Sequence, residues 1–351
     1  MSRASGDAQP TDDVGRFKDT APVLTGRVRW FALVTLLLLA ACLAEFLTGS
    51  TPILVAFTHP AGFAVLVGLY GGGALLIRET TIRWGKRWGT VLLLGGAYAV
   101  GEEGFGAKTM VDPTGSNIGN QLYSHWAGVN WVPLAELTLF HAAFSIAVPL
   151  LLVESLFPET RGKRLLRNRW VVVTILVYGL AVYLVSFGDP FKPPLAVTAF
   201  LAAYASMFIT AAYLIPRSFL RAKTEAPDRR ELRFLLLGIG FMGGFFLIFT
   251  IGAHLLPWPV TAALFIPLAG LTAYYLTKHA GRSGNDLVKI DFLLGVTLVF
   301  VPIDISLEFR GDIGVLLFTA LILALMFGIR RRKVRLDAPS NALSVIQAAS
   351  G

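Results

Sequence analysis

Apolar stretches of 17 to 27 residues recur along the chain, separated by short polar segments. We read ten of them, at residues 30–47, 61–77, 89–106, 131–157, 170–187, 195–215, 234–256, 258–276, 290–309 and 313–329. A bilayer core about 30 Å thick is crossed by about 20 apolar residues of helix. The pattern therefore predicts an all-α fold, a polytopic membrane helix bundle of about ten transmembrane helices. Trp, Tyr, Lys or Arg fences several of the stretches, as interfacial anchoring requires. The segment 1–28 is polar and rich in Asp, Gly, Ser and Pro, which predicts a disordered tail. The bundle then occupies 29–330, with its longest outer loop near 107–130. Residues 331–351 read as a basic and then disordered tail.

Composition supports the membrane assignment. Hydrophobic residues make up 55% of the 351 positions and charged residues only 15%, against about 25% charged in soluble chains. The net charge of +9 resembles a nucleic-acid signal until its placement is considered. With both termini cytoplasmic, only Lys108, Lys192 and Arg310 fall on the outer side, leaving 28 of the 31 Lys and Arg inside. This is the positive-inside bias of a plasma-membrane protein. The partners it implies are the bilayer and anionic lipid headgroups at the cytoplasmic face, reached by runs such as Arg330–Lys333. Nucleic acid is not among them, and the oligomeric state is left open.

The acids are placed oppositely. Glu45, Glu102, Glu103, Asp112, Glu136, Asp189, Asp304, Glu308 and Asp312 all lie on the outer side or in the outer half of a span. Helical rise puts Glu45, Glu102 and Asp304 each roughly 21–22 Å from the inner boundary, and His141 roughly 15 Å below the outer one. Carboxylates facing lipid at that depth are costly, so they turn toward the bundle interior, a water-filled cavity or one another. The bland outcome is a set of protonated or hydrogen-bonded acids that pin helices together. The functional outcome is one polar pocket containing Glu102, Glu103, His141 and Asp304. On a regular helix Glu102 and Glu103 point about 100° apart and do not share a face. Tyr98, one turn before Glu102, along with Glu45, Glu308 and His125, are the candidate substrate-contacting groups. A divalent metal held by Glu, His and Asp is one cofactor such a pocket accommodates.

The order Gly101-Glu102-Glu103 on one span, with His141 on the next, 38 residues after Glu103, resembles the CAAX-protease and bacteriocin-processing (CPBP) family of intramembrane proteases. That family carries EExxxR, then a Phe-x-x-x-His motif, then a further His with Asn or Asp. The resemblance implies that Glu102 or Glu103 and His141 position an attacking water. It covers roughly 45 of the 351 residues. Ala107 and Lys108 stand at and after the position of the family's arginine, Leu137 replaces its Phe, and His254 is followed four residues on by Trp258 rather than Asn or Asp. Nucleophile-elbow, zinc-helix and P-loop motifs are absent.

Two functions follow as expectations. One is an intramembrane hydrolase acting on a lipid or membrane-peptide substrate. The other is a proton- or cation-coupled secondary transporter using the same carboxylates. They differ in geometry, since a hydrolase needs Glu and His within hydrogen-bond reach of a common water.

The charge asymmetry makes a direct prediction. Reporter fusions at Val129 and Pro194 should read extracytoplasmic and one at Ala226 cytoplasmic; a cytoplasmic signal at Val129 breaks the ten-span topology. Leu39-Ala40-Ala41-Cys42 resembles a lipobox, but the apolar run continues to Leu47. Intact mass should therefore show no cleavage before Cys42 and no diacylglyceryl group on it.

Overall fold

A computed structural model of the chain describes residues 21–114, 121–220, 231–280 and 286–349. Residues 1–20 of the expected tail, and Asn117 and Asn120 of the outer loop, lie outside the described residues. The fold is all-helical apart from a two-residue ribbon, His125–Trp126 paired antiparallel with Val129–Asn130. In chain order the helices are α1 Arg27–Glu45, the short α2 Ile53–Thr58, α3 Pro60–Arg83 and α4 over 88–106. There follow α5 Trp131–Leu156, α6 Asn168–Phe187, α7 Leu195–Leu214, α8 Leu232–Leu255, α9 Trp258–His279, α10 Leu287–Phe309 and α11 Val315–Ala349.

Eight of these are long and apolar enough to cross a membrane: α1, α3 and α5 to α10. The two remaining expected spans also form helices, each marked by charge. Glu102 and Glu103 interrupt α4, and α11 carries only fifteen residues before Arg330. The helical backbone of the last helix continues through the basic run to Ala349. Arg330 to Lys333 are good helix formers, and an existing helix extends through them at little cost.

Hydrophobic attraction does not drive helices together inside lipid, so association depends on close packing. Glycine supplies it here. A Cβ on Gly238 of α8 would lie 2.0 Å from the Phe292 carbonyl oxygen of α10, and one on Gly295 would lie 2.0 Å from that of Leu235. At Gly71 of α3 a Cβ would meet the Leu37 backbone of α1 at 2.6 Å. At Gly95 of α4 it would stand 2.7 Å from Ala142 Cα on α5. By contrast, only 6% of the apolar window of α6 is buried, so most of that helix is left for lipid.

Polar caps and ties hold the ends. Glu308 accepts from the backbone N–H groups of Gly314 and Leu316 at 3.0–3.2 Å, capping the start of α11. Midway along that helix Arg330 donates to Asp291 on α10 at 2.7 Å. Pro22 to Leu24 runs beside Arg164 through backbone hydrogen bonds of 2.9–3.0 Å. Trp126, Trp131 and Trp258 gather with ring centroids 6.0–6.4 Å apart beside the ribbon.

The α8–α10 crossing can be tested by overpacking. Gly295→Val should lower stability by about 1–3 kcal/mol and reduce the melting temperature of the detergent-solubilised protein. Gly240→Val, on α8 with open space around its Cβ position, should leave it nearly unchanged.

Candidate functional site

The site forms where α4 crosses α5. At the Gly95–Ala142 approach the two helices nearly touch; α5 is already widened there, and α4 widens little more than a turn further along. Residues Val100–Gly106 of α4 and His141–Ala147 of α5 are wound as π-helix. So is Val67–Gly71 of α3, which carries Tyr70. Such i→i+5 turns are uncommon and concentrate at functional positions.

The widened turn decides which side chains meet. With more residues per turn, neighbouring side chains are separated by less than the regular 100°. Glu102 and Glu103 both reach His141, although a regular helix would point them about 100° apart. Glu102 Oε2 lies 3.2 Å from His141 Nδ1, and Glu103 Oε1 lies 3.0 Å from His141 Nε2. Ser145, one turn further along α5, is 3.0 Å from Nδ1. The imidazole is thus fixed at both nitrogens. Glu102 and His141 are buried, with side chains 3% and 4% exposed, whereas Glu103 is 13% exposed and forms the accessible edge.

Aromatic rings wall the imidazole. Tyr70 lies nearly parallel to it at 6.4 Å between centroids, and Tyr98 is tilted at 6.0 Å. Gly73 gives Tyr98 its place, since a Cβ there would fall 2.2 Å from the ring. Tyr98, expected at the site, is therefore in it. Glu45, from α1, accepts from Thr51 at 2.5 Å and lies within electrostatic reach of Glu103 and His141. Glu136, five residues before His141, has the same reach. Tyr98 Oη, Glu136 Oε2 and Glu102 Oε2 are buried and have no hydrogen-bond partner among the described residues, so Glu102 meets Nδ1 as a close polar contact while Ser145 shares the hydrogen bond there.

Three expected members are elsewhere. Asp304 is fully buried on α10, where it accepts from Thr319 of α11 at 2.5 Å. It does not join the Glu102–Glu103–His141 group, because position along a helix does not fix which neighbour a side chain faces. Glu308 is the cap of α11 described above. His125 sits in the ribbon, 2.7 Å from Asn130 Oδ1. It connects to the site only indirectly. Asn130 donates to the Thr109 and Asp112 carbonyls at 2.8 Å, and the Thr109 hydroxyl donates to Glu103. The outer loop near 107–130 thus holds Glu103 from the membrane surface.

The chain belongs to an uncharacterized membrane protein family. The family's profile matches residues 34–348, so it spans the whole site as well as most of the bundle. Neither the curated proteins nor the solved structures gave a match.

Glu102, Glu103 and His141 can each offer one ligand atom to a metal ion, all within 4.8 Å of one another. One carboxylate on each ring nitrogen also suits proton transfer without a metal, since imidazole relays a proton between its two nitrogens. Tyr70, Glu136 and Ser145 complete a cluster that sequence spacing alone did not assemble. The signals available were the ionisable Glu136 within a span and the i,i+4 spacing of Ser145 from His141. Tyr70 carried none.

Lys108 secures the exit of the π-turn. It adopts a left-handed backbone (φ 59°), and its buried Nζ donates to the carbonyls of Ser186, Asp189 and Phe191 at 2.7–3.0 Å. Lys108→Met should orphan those acceptors and cost about 1–3 kcal/mol or more. Faster hydrogen exchange across 107–114 should accompany the loss, while the exposed Lys192→Met stays neutral.

Proposed function

We propose that the protein is an intramembrane hydrolase of a lipid or membrane-peptide substrate. The observation that carries this reading is the placement of two carboxylates on the two nitrogens of one buried imidazole, at 3.2 and 3.0 Å. Glu103, at the accessible edge, is the general base that takes a proton from water. The water oxygen attacks the scissile carbonyl, and the proton taken by Glu103 is delivered through His141 to the leaving group as that bond breaks, with Ser145 and the close approach of Glu102 fixing the ring. The CPBP resemblance implies that Glu102 or Glu103 and His141 position such a water, and Glu103 and His141 Nε2 lie within the hydrogen-bond reach that general-base chemistry requires. A divalent ion would be held by Glu102, Glu103 and His141, whose ligand atoms lie within 4.8 Å of one another, with Ser145 beside the imidazole to orient it. The ion would supply an acidified water.

A second reading is favoured by a specific observation. Glu45 and Glu136 add two further carboxylates within electrostatic reach of His141. Four acids around one imidazole also make a proton-binding station of the kind used in coupled transport.

The test is turnover by the purified chain in proteoliposomes containing defined phospholipids and single-span peptides, with products read by mass spectrometry. Glu103→Gln and His141→Gln should each lower turnover about 10²–10⁴-fold without altering the elution profile of the protein. Sensitivity to a chelator separates the metal-assisted form from the metal-free one. Undiminished turnover in Glu103→Gln overturns the hydrolase reading. Glu-dependent proton uptake without product favours the transporter.

A further inference from the structure

Two cavities adjoin at the base-rich end of the bundle, away from the Glu–His site. One has a volume of about 520 Å³ and is almost wholly apolar, walled by side chains such as Leu92, Leu139, Phe144, Phe241 and Phe292. On α5 its lining runs from Leu139 to Leu151, a distance of roughly 18 Å at helical rise. Leu139, Ala143 and Ala147 line it from the side of α5 away from the imidazole, and Phe144, Val148 and Leu151 from the flanks nearer to it.

The other cavity, about 620 Å³, is lined by six cationic side chains, Arg78, Lys86, Arg87, Arg161, Arg217 and Lys289, against a single acid, Glu154. Arg87, Trp88 and Lys289 line both cavities, so the basic and apolar spaces share a wall. Arg78 is only 2% exposed. Two of its nitrogens donate to Glu79 and to the Thr160 carbonyl, and its Nε has no hydrogen-bond partner among the described residues. Gly85, at φ +61°, makes room for Arg217, since a Cβ there would fall 2.1 Å from a guanidinium nitrogen. Lys289 Nζ stands 5.9 Å over the Trp88 ring, which sets a cation and an aromatic body at the boundary between the two spaces.

We propose that the paired cavities bind one anionic glycerophospholipid from the adjacent leaflet, its phosphate in the basic cavity and an acyl chain in the apolar one. Charge complementarity selects the headgroup. Several guanidinium groups converge on one space, and guanidinium is the side chain best matched to phosphate oxygens. The apolar cavity selects a lipid over a soluble phosphate, because only a lipid fills both spaces at once. A basic pocket between membrane helices on the positively charged side is a known setting for anionic headgroups. This site is independent of the Glu–His chemistry.

The experiment uses the full chain in detergent, titrated with dioleoyl phosphatidylglycerol, dioleoyl phosphatidylcholine or inorganic phosphate and read by native mass spectrometry. Phosphatidylglycerol should be retained in preference to phosphatidylcholine. Arg87 and Arg217 are exposed at their backbone positions, so neither substitution disturbs the packed core. The double variant R87Q/R217Q should weaken retention about tenfold or more, the loss expected of charge-assisted hydrogen bonds. Ala143→Trp, which fills the apolar cavity, should also abolish the preference, with Ala273→Trp on the facing helix as a second filling variant should the first fail to fold. Equal retention of the two lipids overturns the proposal, as does unchanged retention in R87Q/R217Q. Displacement of the lipid by millimolar inorganic phosphate overturns its lipid component and leaves a phosphate site.

Discussion

The closeness with which α4 approaches α5 governs the molecule. Inside a bilayer, lipid tails are as apolar as leucine, and helices gain little by burying leucine against leucine. They gain by fitting closely, and Gly95 lets the α4 backbone come against Ala142. Carboxylates at this depth are tolerable only when partnered. The Gly95 approach brings Glu102 and Glu103 within reach of His141, and equivalent approaches at Gly71 and at Gly238–Gly295 set the positions of α3 and α10. A larger residue at Gly95 would separate the helices and strand two acids in a low-dielectric interior.

That arrangement is a poor way merely to hold helices together. Buried ion pairs tend to break even at best against well-packed apolar residues of similar size. A network kept for stability alone would also be expected to satisfy its members fully, because half-satisfied polar groups in a low dielectric are expensive. Here Tyr98 Oη and Glu136 Oε2 are buried without partners beside the imidazole. Asp304 carries such an orphan as well: its Oδ2 accepts from Thr319 of α11, while its Oδ1 has no hydrogen-bond partner among the described residues. What distinguishes the Glu–His group is that several such atoms gather around one imidazole.

Much of the fold was legible because the membrane imposes a length. All ten apolar stretches form helices, and most boundaries fall within a few residues of the polar fences that predicted them. Depth was legible for the same reason, and it drew attention to Glu45, Glu102 and His141. Azimuth was not. Sequence distance from an interfacial residue fixes how high a side chain sits, but not which way its helix is turned or which neighbour it faces. Asp304 was therefore grouped with residues it does not join. The relative directions of Glu102 and Glu103 were hidden for a different reason. A regular 3.6-residue helix was assumed, and the site lies in π-turns. Such a turn leaves no clear trace in hydropathy, since one widened turn inside a helix alters neither its length nor its composition.

The two polar regions can be understood together from the charge asymmetry that orients the chain. Bases gather at one end and acids in the other half of the bundle. Around the base-rich end, helix termini and loops contribute Arg78, Lys86, Arg87, Arg161, Arg217 and Lys289 to one cavity without an equal complement of acids. In the other half, acids outnumber bases, and Lys108 is spent on three backbone carbonyls rather than on a carboxylate. The buried glutamates are thereby left with the imidazole as their nearby basic partner. α5 lies between these regions and serves both, with His141 and Ser145 on one face and Leu139, Ala143 and Ala147 on the other. Its polar face can sit in an apolar helix because α4 presses against it at Gly95. Its opposite face can border an open cavity because that pressure already anchors the helix.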